Sequence, residues 1–111
     1  MATREEIVTR LEKVKAKFSE GKIQKEFANF SKTLEFVFKD KETSFCVSIQ
    51  NGVPSDFQEK KAEKPDIQLI MDSQTFVEIM DGKLSGMKAY ASGKVKLKGS
   101  IRDLMKLQKL M

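Results

Sequence analysis

The chain contains no histidine. That removes the Ser-His-Asp triad, the Cys-His pair and the imidazole metal ligand, and with them the usual switch near neutral pH. A single cysteine, Cys46, excludes an internal disulfide and an all-cysteine metal site. No apolar run approaches the roughly 18 residues that a membrane-spanning helix needs. The charged opening stretch, Met1 to Lys17, lacks the apolar core of a secretory signal. A glycine-rich phosphate loop is missing, as is any carboxylate group with metal-ligand spacing. Catalysis would have to rest on Lys, Asp, Glu, Tyr or Ser, and the sequence does not cluster them. The expectation is a protein that is not an enzyme and carries no cofactor or metal.

What is present is informative mainly in its order. A length of 111 residues, 40% of them hydrophobic and 33% charged, fits one domain over 1–111 with one core. Thr3 and Glu6 have capping-box spacing. Ile7, Leu11, Val14 and Phe18 follow at helical intervals, and Gly21 is the expected stop. A second short helix is read from Ile23 to Phe30. The period then changes to two: Leu34, Phe36 and Phe38 alternate with Glu35, Val37 and Lys39, and Phe45, Val47 and Ile49 with polar residues and Cys46. Asn51-Gly52 predicts a type I′ turn returning a third strand from Val53 toward Lys60. Ile67, Leu69 and Met71 mark a fourth strand, and Val95 and Leu97 a fifth. Between them lie a helix capped by Asp72 or Ser73 and closed by Gly82, and another carrying Leu84, Met87 and Tyr90. A last helix runs from Ile101 to the end. The fold class is α+β, a five-stranded, mostly antiparallel sheet with helices on one face.

That last helix carries more apolar surface than a sheet requires. Ile101, Leu104, Met105, Leu107, Leu110 and Met111 span an arc of about 220° at roughly 100° per residue. Half of it would cover a sheet, so the excess points to a ligand, a partner subunit or frayed exposure. Gln108 falls inside the arc, where an amide either orients a ligand or is satisfied by backbone or water. Every methionine after the first lies beyond residue 70 (Met71, Met80, Met87, Met105, Met111). Such adaptable side chains suit a pocket for variable apolar molecules, and equally the gaps of an ordinary core.

Charge is divided along the chain. Residues 83–111 hold eight basic side chains and one acid, Asp103, for a net +7; residues 1–82 sum to −2. The expected contact of Lys83, Lys88, Arg102, Lys106 and Lys109 is an anionic membrane surface or a phosphorylated ligand. Nucleic acid is not expected, because the segment offers only Tyr90 for stacking. Lys94, Lys96 and Lys98 read as guards of an edge strand.

The run Gly82-Lys83-Leu84, Ala89-Tyr90, Gly93 to Gly99 and Leu104-Met105-Lys106-Leu107-Gln108 resembles the sterol carrier protein type 2 family, ungapped over the last 30 or so residues. The resemblance implies strand order 3-2-1-4-5 and an apolar tunnel between sheet and helices. It also implies that the tunnel takes fatty acids, acyl-CoA, sterols or phospholipids without chemical change, and an isoprenoid is a further candidate cargo. With the amphipathic faces it nominates Phe36, Phe38, Phe76, Met80, Leu84, Met87, Ile101, Leu104 and Met105 as wall, and Gln108 as polar handle. Some relatives continue into a peroxisomal tripeptide, which Lys109-Leu110-Met111 is not, so the expected compartment is the cytoplasm. The alternative reading is an interaction module or homodimer joined through the last helix, with lipid incidental.

Overall fold

The computed structural model describes residues 2–110; Met111, the end of the apolar arc, lies outside them. Helix α1 (Arg4–Lys17) begins with the predicted capping box: Thr3 Oγ1 accepts from the Glu6 amide at 3.1 Å, and Glu6 Oε1 accepts from the Thr3 amide at 3.0 Å. It buries Ile7, Leu11 and Val14. Gly21 does not stop it. The chain tightens through i→i−3 bonds from Phe18, Ser19 and Glu20, which need no left-handed residue, and Gly21 opens α2 (Gly21–Glu26) instead. Phe18, Phe27 and Phe30 then stack edge to face, with centroids 5.3 and 5.1 Å apart.

Five strands follow the expected spatial order, β3-β2-β1-β4-β5. They are β1 (Lys32–Phe38), β2 (Thr43–Gln50), β3 (Val53–Pro54), β4 (Ile67–Met71) and β5 (Lys96–Lys98). Three pairings are antiparallel; β1 and β4, at the centre, run parallel. Asn51 and Gly52 both take positive φ, as the type I′ turn demands. At Gly52 a side chain is doubly excluded, because a Cβ would lie 2.6 Å from the Phe27 carbonyl oxygen. The third strand is far shorter than predicted. Ser55 still donates to the Ser48 carbonyl at 2.8 Å, so the missing N–H of Pro54 falls on the open edge. Asp56 and Phe57 then stand against Val47 alone, and this extra residue interrupts the strand before Cys46 and Gln58 resume the pairing.

Helices α3 (Ser73–Met80), α4 (Gly86–Ala91) and α5 (Ile101–Leu107) lie with α1 and α2 over the face that presents Phe36, Phe38, Val47, Leu69 and Met71. One hydrophobic cluster runs from Ile7 to Leu110. Gly82 closes α3 with φ +76, as predicted. Leu84 lies in the loop before α4 rather than on it. Neither Asp72 nor Ser73 caps α3 with its side chain. Asp40, from the turn after β1, does so across space: its Oδ1 accepts from the Ser73 amide at 2.8 Å and its Oδ2 from the Ser73 hydroxyl at 2.6 Å. Residues 55–66 partly cover the other sheet face. Beneath them Glu35, on the face opposite Leu34 and Phe36, is 2% exposed and accepts from Gln68 Nε2 at 2.8 Å and the Ala62 amide at 3.1 Å. No helix among the described residues is long and apolar enough to cross a membrane.

Candidate functional site

An apolar cleft opens where α3, α4 and α5 meet β4 and the residue that leads into β5. It is lined by Leu69 and Met71 of β4, Ile79 of α3, and Gly86 and Met87 of α4. Val95 and Leu104 complete its apolar wall, and Gln108, in the single 3-10 turn (Gln108–Leu110) that follows α5, is its one polar side chain. Its volume is about 20 Å³, room for about one water molecule. A larger depression of about 670 Å³ lies on the opposite sheet face, but Lys60, Lys61, Lys64, Ser48 and Ser55 line it. For an apolar ligand the chemistry of the wall outweighs size, which selects the smaller cleft.

The nominated wall residues separate into three groups. Met87, Leu104 and Gln108 meet at the cleft. Phe36, Phe38 and Phe76 form a closed aromatic cluster, with Phe76 5.2 Å from Phe36 and 5.3 Å from Phe38, all almost fully buried. Met80 and Leu84 are half-buried against the same core. Ile101 and Met105 stand outside it, 48% and 55% exposed. The excess arc of α5 is therefore solvent-facing, because Leu104, Leu107 and Leu110 alone turn inward. Gln108 is an exposed rim residue rather than a buried amide. Leu69, Met71, Ile79 and Val95 escaped the sequence reading as wall. Their signal was the strand order, which sets β4 and β5 beneath the final helix.

Polar ties hold α5 down. Lys106 Nζ lies 5.0 Å above the Phe27 ring and 5.3 Å from Phe30. Lys109 Nζ approaches Glu26 Oε2 to 3.1 Å, near enough for an ion pair though off-axis for a hydrogen bond. Lys32 of β1 pairs with Asp103, the sole acid of the C-terminal segment. Of the five cations expected at a surface, Lys83, Lys88 and Arg102 are exposed, whereas Lys106 and Lys109 are engaged with α2 and the residues just after it. No grouping of three or more Cys, Asp or Glu suited to a metal occurs among the described residues.

The sequence profile of the SCP-2 sterol transfer family matches residues 11–111. The chain belongs to that family. Sterol carrier protein 2 of Homo sapiens is 31% identical over 99 residues, covering 82% of this chain and 18% of that protein. Hydroxysteroid dehydrogenase-like protein 2 of Xenopus tropicalis is 30% identical over 78 residues, covering 69% and 19%. The chain thus spans about a fifth of the length of these curated relatives. Palmitated SCP2L2 from Aedes aegypti has the same fold, with a TM-score of 0.73 at 16% identity over 98% of this chain and 94% of that one. Where the SCP-2 resemblance implied a tunnel between sheet and helices, this structure has the 20 Å³ cleft.

Proposed function

We propose that the chain binds the hydrocarbon part of a lipid (a fatty acid, acyl-CoA, sterol or isoprenoid) between β4, β5 and helices α3–α5, and releases it unchanged. The observation that carries this reading is an interior cleft walled entirely by apolar or glycine residues with one amide, Gln108, at its mouth. Entry requires α5 to swing away, because ligand pockets ordinarily hold about 300 Å³ or more. Lifting α5 uncovers Leu104, Leu107 and Leu110 at a cost of about 2 kcal/mol each. Burial returns about 0.8 kcal/mol per methylene, so roughly eight methylenes offset that cost. Long chains clear this threshold and short ones do not. On opening, Phe36, Phe38 and Phe76 serve as floor, Met80, Leu84 and Met87 as side wall, and Ile101, Leu104 and Met105 travel with the lid. The chain's own residues supply no bond-making step in this reading.

The test is displacement of a fluorescent fatty acid by saturated acids of increasing length, on the wild type and on Met87→Trp. We expect competition to set in near the threshold length and affinity to fall at least tenfold in the variant. Equal competition at every length, or an unaffected folded Met87→Trp, would sink the reading.

A second reading, a dimer through α5, draws on the exposed pair Ile101 and Met105. Sedimentation across a concentration series without lipid separates it from the first.

A further inference from the structure

Outside the cleft, the feature with the most to explain is the outer face of α5. Exposed apolar side chains carry information when they adjoin one another rather than lie singly. Among the described residues only Val53, Ile101 and Met105 are exposed large hydrophobics. Two of these three are one helical turn apart on the element that closes the cleft. The electrostatic surround is one-sided. From residue 83 onward every charged side chain except Asp103 is basic, and Asp103 is buried against Lys32. Lys98 and Arg102, on either side of Ile101, are exposed. From the elements packed against α5, Glu26 faces Lys109 and Lys32 faces Asp103, so neither leaves an uncancelled negative charge on this face.

We propose that α5 docks on an anionic lipid bilayer with Ile101 and Met105 inserted among the acyl chains, and that docking is what lifts it from the cleft. The coupling rests on the cargo reading above. An apolar pair flanked by the exposed Lys98 and Arg102 matches a surface that is negative outside and hydrocarbon within. It matches a second copy of itself poorly, because a symmetric pairing would bring Lys98 and Arg102 of both copies together. The ties that hold α5 are ones a bilayer competes for. Lys106 on the Phe27 and Phe30 rings and Lys109 beside Glu26 are attracted equally by lipid phosphate and carboxylate. Contact with anionic headgroups therefore weakens the clasp at the same moment that the bilayer offers Ile101 and Met105 an apolar destination. Cargo is exposed only where a membrane waits to receive or supply it.

The experiment uses the full chain, preloaded with a fluorescent fatty acid, mixed with phosphatidylcholine vesicles with or without phosphatidylserine. Sedimentation reads docking and fluorescence reads release. We expect docking to require phosphatidylserine, to fall steeply with salt, and to speed release. Arg102→Glu reverses one charge beside the wedge and should weaken docking about thirtyfold while leaving probe affinity without vesicles unchanged. Ile101→Ser with Met105→Ser should weaken docking by about tenfold or more. Wild type that ignores phosphatidylserine vesicles, or variants that dock as it does, would overturn the proposal. So would a dimer in vesicle-free solution abolished by the same substitutions, in favour of a second copy. If docking follows the expected pattern but the probe never binds in solution, the cargo reading falls with the coupling, and the docking surface stands.

Discussion

Asp40 sits in the turn between β1 and β2, yet its carboxylate organises the start of α3. Helix α3 begins at Ser73 with an amide that no helical carbonyl can satisfy, and Asp40 accepts from it and from the Ser73 hydroxyl. Partial burial is the largest single influence on this carboxyl and pushes its pKa up. The two bonds from Ser73, aided by its own backbone amide and by Lys41, outweigh that, and the pKa ends below the ordinary aspartate value. The folded state thus binds the proton less readily than the unfolded chain. The stabilisation is complete above the ordinary aspartate range and disappears as pH falls through the lower, folded value. Asp40→Ala is expected to cost about 1–2 kcal/mol at neutral pH. The gap in urea midpoint between the two proteins should narrow as pH falls below the ordinary aspartate range. A gap that stays constant with pH would mean that the cap acts through shape rather than charge.

At the scale of the element, α5 combines a buried side with an exposed one. Leu107 and Leu110 are each 1% exposed, so an acidic substitution there strikes the core and not a subunit interface. Leu110→Asp is expected to lose several kcal/mol of stability through an uncompensated buried charge, read as a collapsed thermal transition by circular dichroism. Soluble, folded monomers of Leu110→Asp would instead make the C-terminal leucines a dimer contact. The same helix shows what was legible beforehand. Its period, its start after Gly99-Ser100 and its surplus of apolar surface are all written in residues 99–110, and Ser100 Oγ does accept from the Arg102 amide. Which part of the arc faces inward was not legible. Periodicity defines a stripe, but only the position of β4 and the pull of Phe27 on Lys106 decide how the stripe is rotated. The burial of Glu35 was not legible for a related reason. Alternation describes one strand and its two sides, and cannot register a loop thirty or so residues later that folds across the outer side. The cleft wall contributed by Leu69, Met71 and Val95 was readable as strand core and became a site only once the sheet order was known.

For the molecule as a whole, the radius of gyration is 12.8 Å, close to the roughly 13 Å of a close-packed chain of this length. On the proposed cargo reading, the 20 Å³ cleft must widen on the side of α3–α5 to take an acyl chain. The sheet order bears on how the molecule is made. The β1–β2 hairpin closes over a short connection, with Phe38 beside Thr43. The parallel β1–β4 ladder joins Leu34 to Ile67 only after a far longer loop has closed, and β5 must then return across α3 and α4. Pairings of high sequence separation form late. The hairpin therefore precedes the seam that becomes the cleft, and during refolding that seam is for a time unsealed. On the proposed cargo reading, a fatty acid present during refolding meets no barrier, whereas one added afterwards must wait for α5. Stopped-flow refolding with a fluorescent fatty acid is expected to load the protein faster than mixing the same acid with folded protein. Equal rates would mean that α5 opens as quickly as the chain folds.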